Sequence, residues 1–96
     1  MSMNPSEANK TVVVKNPKGL HLRPAGVLAQ LAAAYDSEIT LTKDGLTVDA
    51  RSILDLLTLV ATQGSELTVA ASGSDAQQAV EALSHFIAND ESDEEE

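Results

Sequence analysis

The chain has 96 residues, no cysteine, two aromatic residues and a formal net charge of −9. A chain of this length buries roughly 60–68% of its unfolded surface around one core, and a second core does not fit. Disulfides and thiolate metal sites are excluded, and a nucleic-acid partner is not expected, because it needs a basic face or an aromatic stacking platform. The charge is unevenly placed. The C-terminal "NDESDEEE" holds six acids, whereas residues 11–88 hold eight acids and five bases. "MSMNPSEANK" lacks the apolar segment of a secretory signal, and no apolar run approaches the ~20 residues that span a bilayer. A soluble, cytoplasmic protein without membrane insertion is expected.

In chain order, residues 1–9 are polar and contain Pro5, and read as a disordered segment ahead of a domain over 10–88. "KTVVVK" is β-branched and predicts a strand. "NPKG" is a loop with two breakers. "PAGVLAQLAAAY" predicts a helix from Pro24 to Tyr35, with Val27, Leu28, Leu31 and Tyr35 at helical spacing and Pro24 in the first turn. "SEITLTK" alternates, with Ile39 and Leu41 on one side. "KDG" predicts a tight hairpin turn and "LTVDA" the returning strand. "SILDLLTLV" reads as a short helix, and "GSELTVAAS" as a strand entered through Gly64. "SDAQQAVEALSHFIA" is an amphipathic helix with Ser74 or Asp75 as its cap and Ala76, Val80, Leu83 and Ile87 as its buried stripe. After Ala88, residues 89–96 form a like-charge block and read as a disordered acidic tail, either a solubilising extension or a segment that folds back on basic groups near His21. The order β-α-β-β-α-β-α points to an α+β fold, a mostly antiparallel sheet with helices on one face.

The motif that carries chemistry is "KGLHLRPAG". His21 stands between a loop and a helix start. The first N–H groups of a helix lack internal partners and carry partial positive charge, so a phosphoryl group on His21 meets ready donors. Arg23 adds a fork of donors suited to phosphate oxygens. Pro24 stiffens the turn, and Gly19 lets the loop bend and a partner approach. A neutral imidazole has a lone pair for nucleophilic attack. On spacing alone, a lone histidine near a helix start is more often a cap or a surface residue.

"GLHLRPA", the "SEITLTKDGLTVDARSIL" hairpin and helix, and "GSELTVAASGSDAQQAVEAL" together resemble HPr, the histidine-containing phosphocarrier family of the bacterial phosphoenolpyruvate-dependent sugar phosphotransferase system. The resemblance runs from residue 11 to about 88. It implies an open-faced β-sandwich, four antiparallel strands with three helices on one face. It implies a phosphoryl carrier rather than an enzyme, with no cofactor and no metal. His21 would receive a phosphoryl group on Nδ1 from enzyme I and hand it to enzyme IIA, with Arg23 stabilising the phosphate. Two residues depart from the family. Leu22 replaces a small residue that could cap the helix, and puts an apolar group where partners dock. Val60 replaces a glycine after the short helix.

Ser52 precedes an apolar helix, with Asp55 three residues on, and predicts an N-cap with a variant capping box. The resemblance adds a regulatory reading, in which an HPr kinase/phosphorylase phosphorylates Ser52. It also places Leu54 and Leu57, with Leu22, on a docking surface; a core role for part of that stripe is equally consistent with its spacing. His85 reads as a solvated helix residue and Lys18 as a solvated loop lysine. Two distant histidines with scattered acids do not make a metal site. A monomer is expected. The competing functions are a carrier for sugar transport, a regulatory paralogue passing phosphate to control proteins, and an interaction domain without phosphorylation. Intact His21, Arg23 and Pro24 argue against the last.

Overall fold

A computed structural model describes residues 6–90. Seven elements occur in the predicted order: β1 (Glu7–Val13), α1 (Leu22–Ala33), β2 (Glu38–Lys43), β3 (Leu46–Asp49), α2 (Ile53–Thr58), β4 (Glu66–Ser72) and α3 (Ala76–Asn89). The strands form one antiparallel sheet in the order β1-β4-β2-β3. The three helices cover one face, and the other face is open.

Alternation within the strands sets this asymmetry, because successive side chains point to opposite faces. Ile39, Leu41, Leu67 and Val69 turn to the helices and are buried. On the other side a row of threonines crosses all four strands. Thr11 pairs with Thr68, Thr68 with Thr42, and Thr42 with Thr47, with hydroxyl contacts of 3.4 Å for Thr11–Thr68 and 2.7 Å for Thr42–Thr47. Such β-branched polar pairs suit a solvated pleated surface. The hairpin turn has positive φ at Asp44 and Gly45, 51° and 85°, as the "DG" pair predicts.

The helices close the core with small residues. α1 buries Ala25, Leu28, Ala29 and Ala32, so it lies close to its neighbours, while Val27, one of the residues noted at helical spacing, is on the exposed side. α3 buries Ala76, Val80, Leu83 and Ile87 as predicted, together with Ala79.

Several boundaries move. β1 begins at Glu7, because Glu7, Ala8 and Asn9 pair with Ser72, Ala71 and Ala70, and Ala8 is buried. The expected disordered segment 1–9 therefore overlaps the sheet; residues 1–5 lie outside the described residues. α1 begins at Leu22, before Pro24, which sits third in the helix where no intrahelical N–H is needed. α3 continues through Asn89, so the tail set at 89–96 also begins too early; residues 91–96 lie outside the described residues.

Asp75 occupies the N-cap position of α3 but makes no side-chain cap bond. Its carboxylate instead accepts from the backbone N–H of Asp36 (2.8 Å) and from the N–H and Oγ of Ser37 (3.0 and 2.6 Å). A tertiary set of three donors wins over the local cap.

Candidate functional site

The His21 loop is held from three sides. Val14 closes the end of the sheet, donating to Ser65 O and accepting from Gly64 N, both at 2.9 Å. Asn16 organises the turn into the loop. Its Oδ1 accepts from Lys18 N at 2.8 Å, its carbonyl accepts from Gly19 N at 2.9 Å, and its Nδ2 donates to Asp90 at 2.9 Å. Asn16 is only 2% exposed, so these bonds are made in a site where an unmade one costs about 1–3 kcal/mol. On the third side Leu20 N donates to Ala61 O at 2.8 Å, and the Leu20 side chain is buried. Sequence reading treated "NPKG" as breakers only; an asparagine directly ahead of a proline was the available signal for an Asx-type turn.

Gly19 has φ +72°, and a Cβ there would collide with the Ala61 carbonyl oxygen and approach Thr62 Cα to 2.9 Å. The glycine is needed for close approach of the chain to itself, not of a partner. It seats the loop on the segment that leaves α2.

His21 is the N-cap of α1, with extended backbone (φ −89°, ψ −168°), and its carbonyl accepts the first helical bond from Ala25 N at 3.0 Å. Its side chain makes no cap bond. Pro24 has no N–H, which makes the amides of Leu22 and Arg23 the donors of this terminus. The ring is half-buried, and Nε2 is buried with no hydrogen-bond partner. Arg23, on an exposed second position of the helix, is two residues from the ring.

Leu22 is the first helical residue, not the cap, so the expectation that a small hydroxyl residue here would cap α1 is corrected: His21 holds that position. Leu22 is 65% exposed and Leu54 77% exposed, whereas Leu57 is half-buried and packed on the core. α1 lies against α2, with Gly26 opposite Ile53. The exposed apolar residues Leu22, Val27, Ile53 and Leu54 thus belong to two adjacent helices beside the His21 terminus.

Ser52 is the N-cap of α2, accepting from Asp55 N at 3.1 Å. The reciprocal half of the capping box is absent, because Ser52 N donates to Asp49 O at 3.1 Å. His85 is exposed on α3 and within 3.3 Å of Asn89. Among the described residues no cluster of three or more His, Cys, Asp or Glu is placed to hold a metal, and no helix is long and apolar enough to cross a membrane.

The described residues thus form a four-stranded antiparallel sheet with three helices, and the first helix carries a histidine at its N-terminus. Residues 8–89 match the family described as the PTS HPr component phosphorylation site. The chain is 47% identical over 79 residues to the phosphocarrier protein HPr of Haemophilus influenzae, covering 82% of this chain and 93% of that protein. The crystal structure of an HPr from Bacillus anthracis superposes with a TM-score of 0.82 at 38% identity, over 85% of this chain and 98% of that one. The Crh protein of Bacillus subtilis, solved as a dimer with a swapped domain, is also similar, with TM-score 0.69, 39% identity, and 79% and 87% coverage. The chain belongs to the HPr family, whose members are phosphocarriers rather than enzymes.

Proposed function

We propose that this chain accepts a phosphoryl group on His21 from phosphoenolpyruvate-charged enzyme I and passes it to enzyme IIA of a sugar phosphotransferase system, in the cytoplasm. The observation that carries the reading is the placement of His21: N-cap of α1, Nε2 buried, helix amides and Arg23 at hand. In the transfer, the Nδ1 lone pair forms the new bond to phosphorus. The bond from phosphorus to the donor breaks, and its electron pair stays with the donor. The amides of Leu22 and Arg23 and the Arg23 guanidinium are placed to meet the phosphoryl oxygens. Leu22 and Leu54, exposed and apolar, supply docking area, with Leu57 contributing at its edge. Ser52 is the regulatory site, open to an HPr kinase/phosphorylase. One copy of the chain contains all of these groups, so the transfer needs no second copy.

The test is incubation with phosphoenolpyruvate and enzyme I, read by intact mass at neutral and acid pH. The chain gains one acid-labile phosphoryl group and His21→Ala gains none, while Arg23→Ala gains it more slowly. Phosphate on the His21→Ala variant would refute the site.

The similarity to Crh supports a second reading, a regulatory paralogue whose acceptors are control proteins. Transfer onward to a sugar in cell extract separates the two.

A further inference from the structure

We propose that Asp90, the residue that ends α3, is a positioning residue for phosphoryl transfer at His21: it orients the Asn16 amide, and Asn16 sets the loop that carries the histidine. The effect on rate rests on the phosphocarrier reading; the effect on the imidazole does not.

The ring is the first observation. His21 makes no side-chain cap bond, and its buried Nε2 has no hydrogen-bond partner among the described residues. No polar contact of Nε2 fixes the ring, so its place follows from the backbone of residues 19–21. That backbone is seated by Leu20 N on Ala61 O at 2.8 Å, and by Gly19, which passes so close to Ala61 that a Cβ has no room. Both contacts depend on where the turn from Asn16 delivers Gly19, whose N–H donates to Asn16 O at 2.9 Å.

The Asn16 side chain is the second. It is buried, its Oδ1 accepts from Lys18 N at 2.8 Å, and its Nδ2 donates to Asp90 Oδ2 at 2.9 Å, across 74 positions of sequence. An ionised carboxylate only accepts, and a backbone N–H only donates. With one on each side, a single orientation of the amide satisfies both. The reversed amide would set Oδ1 against the carboxylate and Nδ2 against the N–H. Asp90 therefore selects the orientation that lets Asn16 close the turn.

Asp90 is itself fixed. Its N–H donates to Phe86 O at 2.9 Å, and Ile87 O accepts from Lys15 N at 3.4 Å. α3 is anchored in the core through Leu83 and Ile87. The end of the last helix is thus the post to which the His21 loop is tied. A remote change that misplaces a reacting group by about 1 Å costs up to about a hundred-fold in rate.

The test uses the full-length chain and four variants: D90A, D90N, N16D and the swap N16D/D90N. N16D alone sets two carboxylates against each other. In the swap, the new carboxylate at position 16 still accepts from Lys18 N, the new amide at position 90 donates to it, and the net charge is that of the parent. Two quantities are read: the imidazole NMR signals of His21, assigned against His21→Ala, and the rate of transfer from enzyme I as carrier concentration is varied. D90A should move the His21 ring signals and lower kcat about ten-fold, with KM changed less than about two-fold, because Leu22 and Leu54 still present the same surface. N16D should lose at least as much, and the swap should return to within about three-fold of the parent rate. D90N should be nearly silent, since its amide oxygen still accepts from Asn16. D90N as slow as D90A would overturn the proposal, because charge and not the bond would carry the effect. So would a swap no faster than N16D, or a D90A chain with the parent's ring signals and rate. Asp90 lies outside the buried core, so D90A and D90N decide the matter if N16D does not fold. Ring signals that move while no chain takes phosphate from enzyme I would sink the phosphocarrier reading and uphold the tie between Asp90 and His21.

Discussion

Val60 holds a left-handed backbone, φ +50°, at the exit from α2, and its side chain is 72% exposed. The left-handed region costs a residue with a Cβ about 1–2 kcal/mol, and glycine almost nothing. Val60→Gly removes that cost but frees the unfolded chain, which offsets about 0.4–1 kcal/mol. Little burial is lost. The net expectation is a gain of about 0.5–1 kcal/mol, measured by urea or thermal unfolding. A loss of stability would show that the valine methyls pack better than their exposure indicates. A gain would show that the fold does not require valine, whose apolar surface is then available to partners. Gly19 is the opposite case. Its φ of +72° and its contact with Ala61 both demand the missing Cβ, so the two left-handed positions that frame the His21 loop are strained to different degrees.

At the scale of elements, α2 is six residues long and buries only Leu56, so its cap matters more than in a long helix. Ser52→Ala removes the acceptor of Asp55 N and should cost about 1 kcal/mol in unfolding free energy, with normal phosphate acceptance from enzyme I. Ser52→Asp keeps an acceptor and adds a negative charge at the positive end of the helix, so stability should stay near that of the parent protein. If Ser52 is regulatory, that charge should slow His21 phosphorylation; transfer at the parent rate would leave Ser52 as a cap alone. Element order, the sheet-facing residues of β2, the "DG" turn and the Ser52 cap were all legible in the sequence, because each is fixed by alternation or by residues within four positions. His21 was legible as a helix-start residue for the same reason. What was not legible depends on contacts between distant segments: the Asn16–Asp90 bond that sets the loop, the pairing that draws Glu7–Asn9 into β1, and the exact first residue of α1, which shifted the cap from position 22 to His21.

Across the whole molecule, the turn between α1 and β2 is where distant segments converge. Ser37 is fully buried and belongs to neither element. Asp75, at the start of α3, accepts three hydrogen bonds from Asp36 and Ser37. Arg51, ahead of α2, donates through Nη2 to the carbonyls of Tyr35 (2.8 Å) and Ser37 (3.0 Å). Gly73 passes so close that a Cβ would stand 2.6 Å from Ser37 Oγ. One acid and one base thus tie both helix starts to the same turn. The bond from Ser37 Oγ, then that from the Asp36 amide, hold the Asp75 carboxyl below its ordinary value of 3.8, against a smaller opposing effect of burial. The folded state therefore binds this proton more weakly than the unfolded state. Asp75 contributes stability that is full above the ordinary carboxylate value and lost as pH falls through the depressed folded value. Asp75→Asn removes the titrating group. Its deficit relative to the parent protein should be constant at neutral pH and should shrink once the pH drops below 3.8. Urea unfolding of both proteins at a series of acid pH values measures that difference directly. A deficit that stays constant to the lowest pH at which both proteins fold would mean that Asp75 holds the turn by shape and neutral hydrogen bonding, and that its charge plays no part.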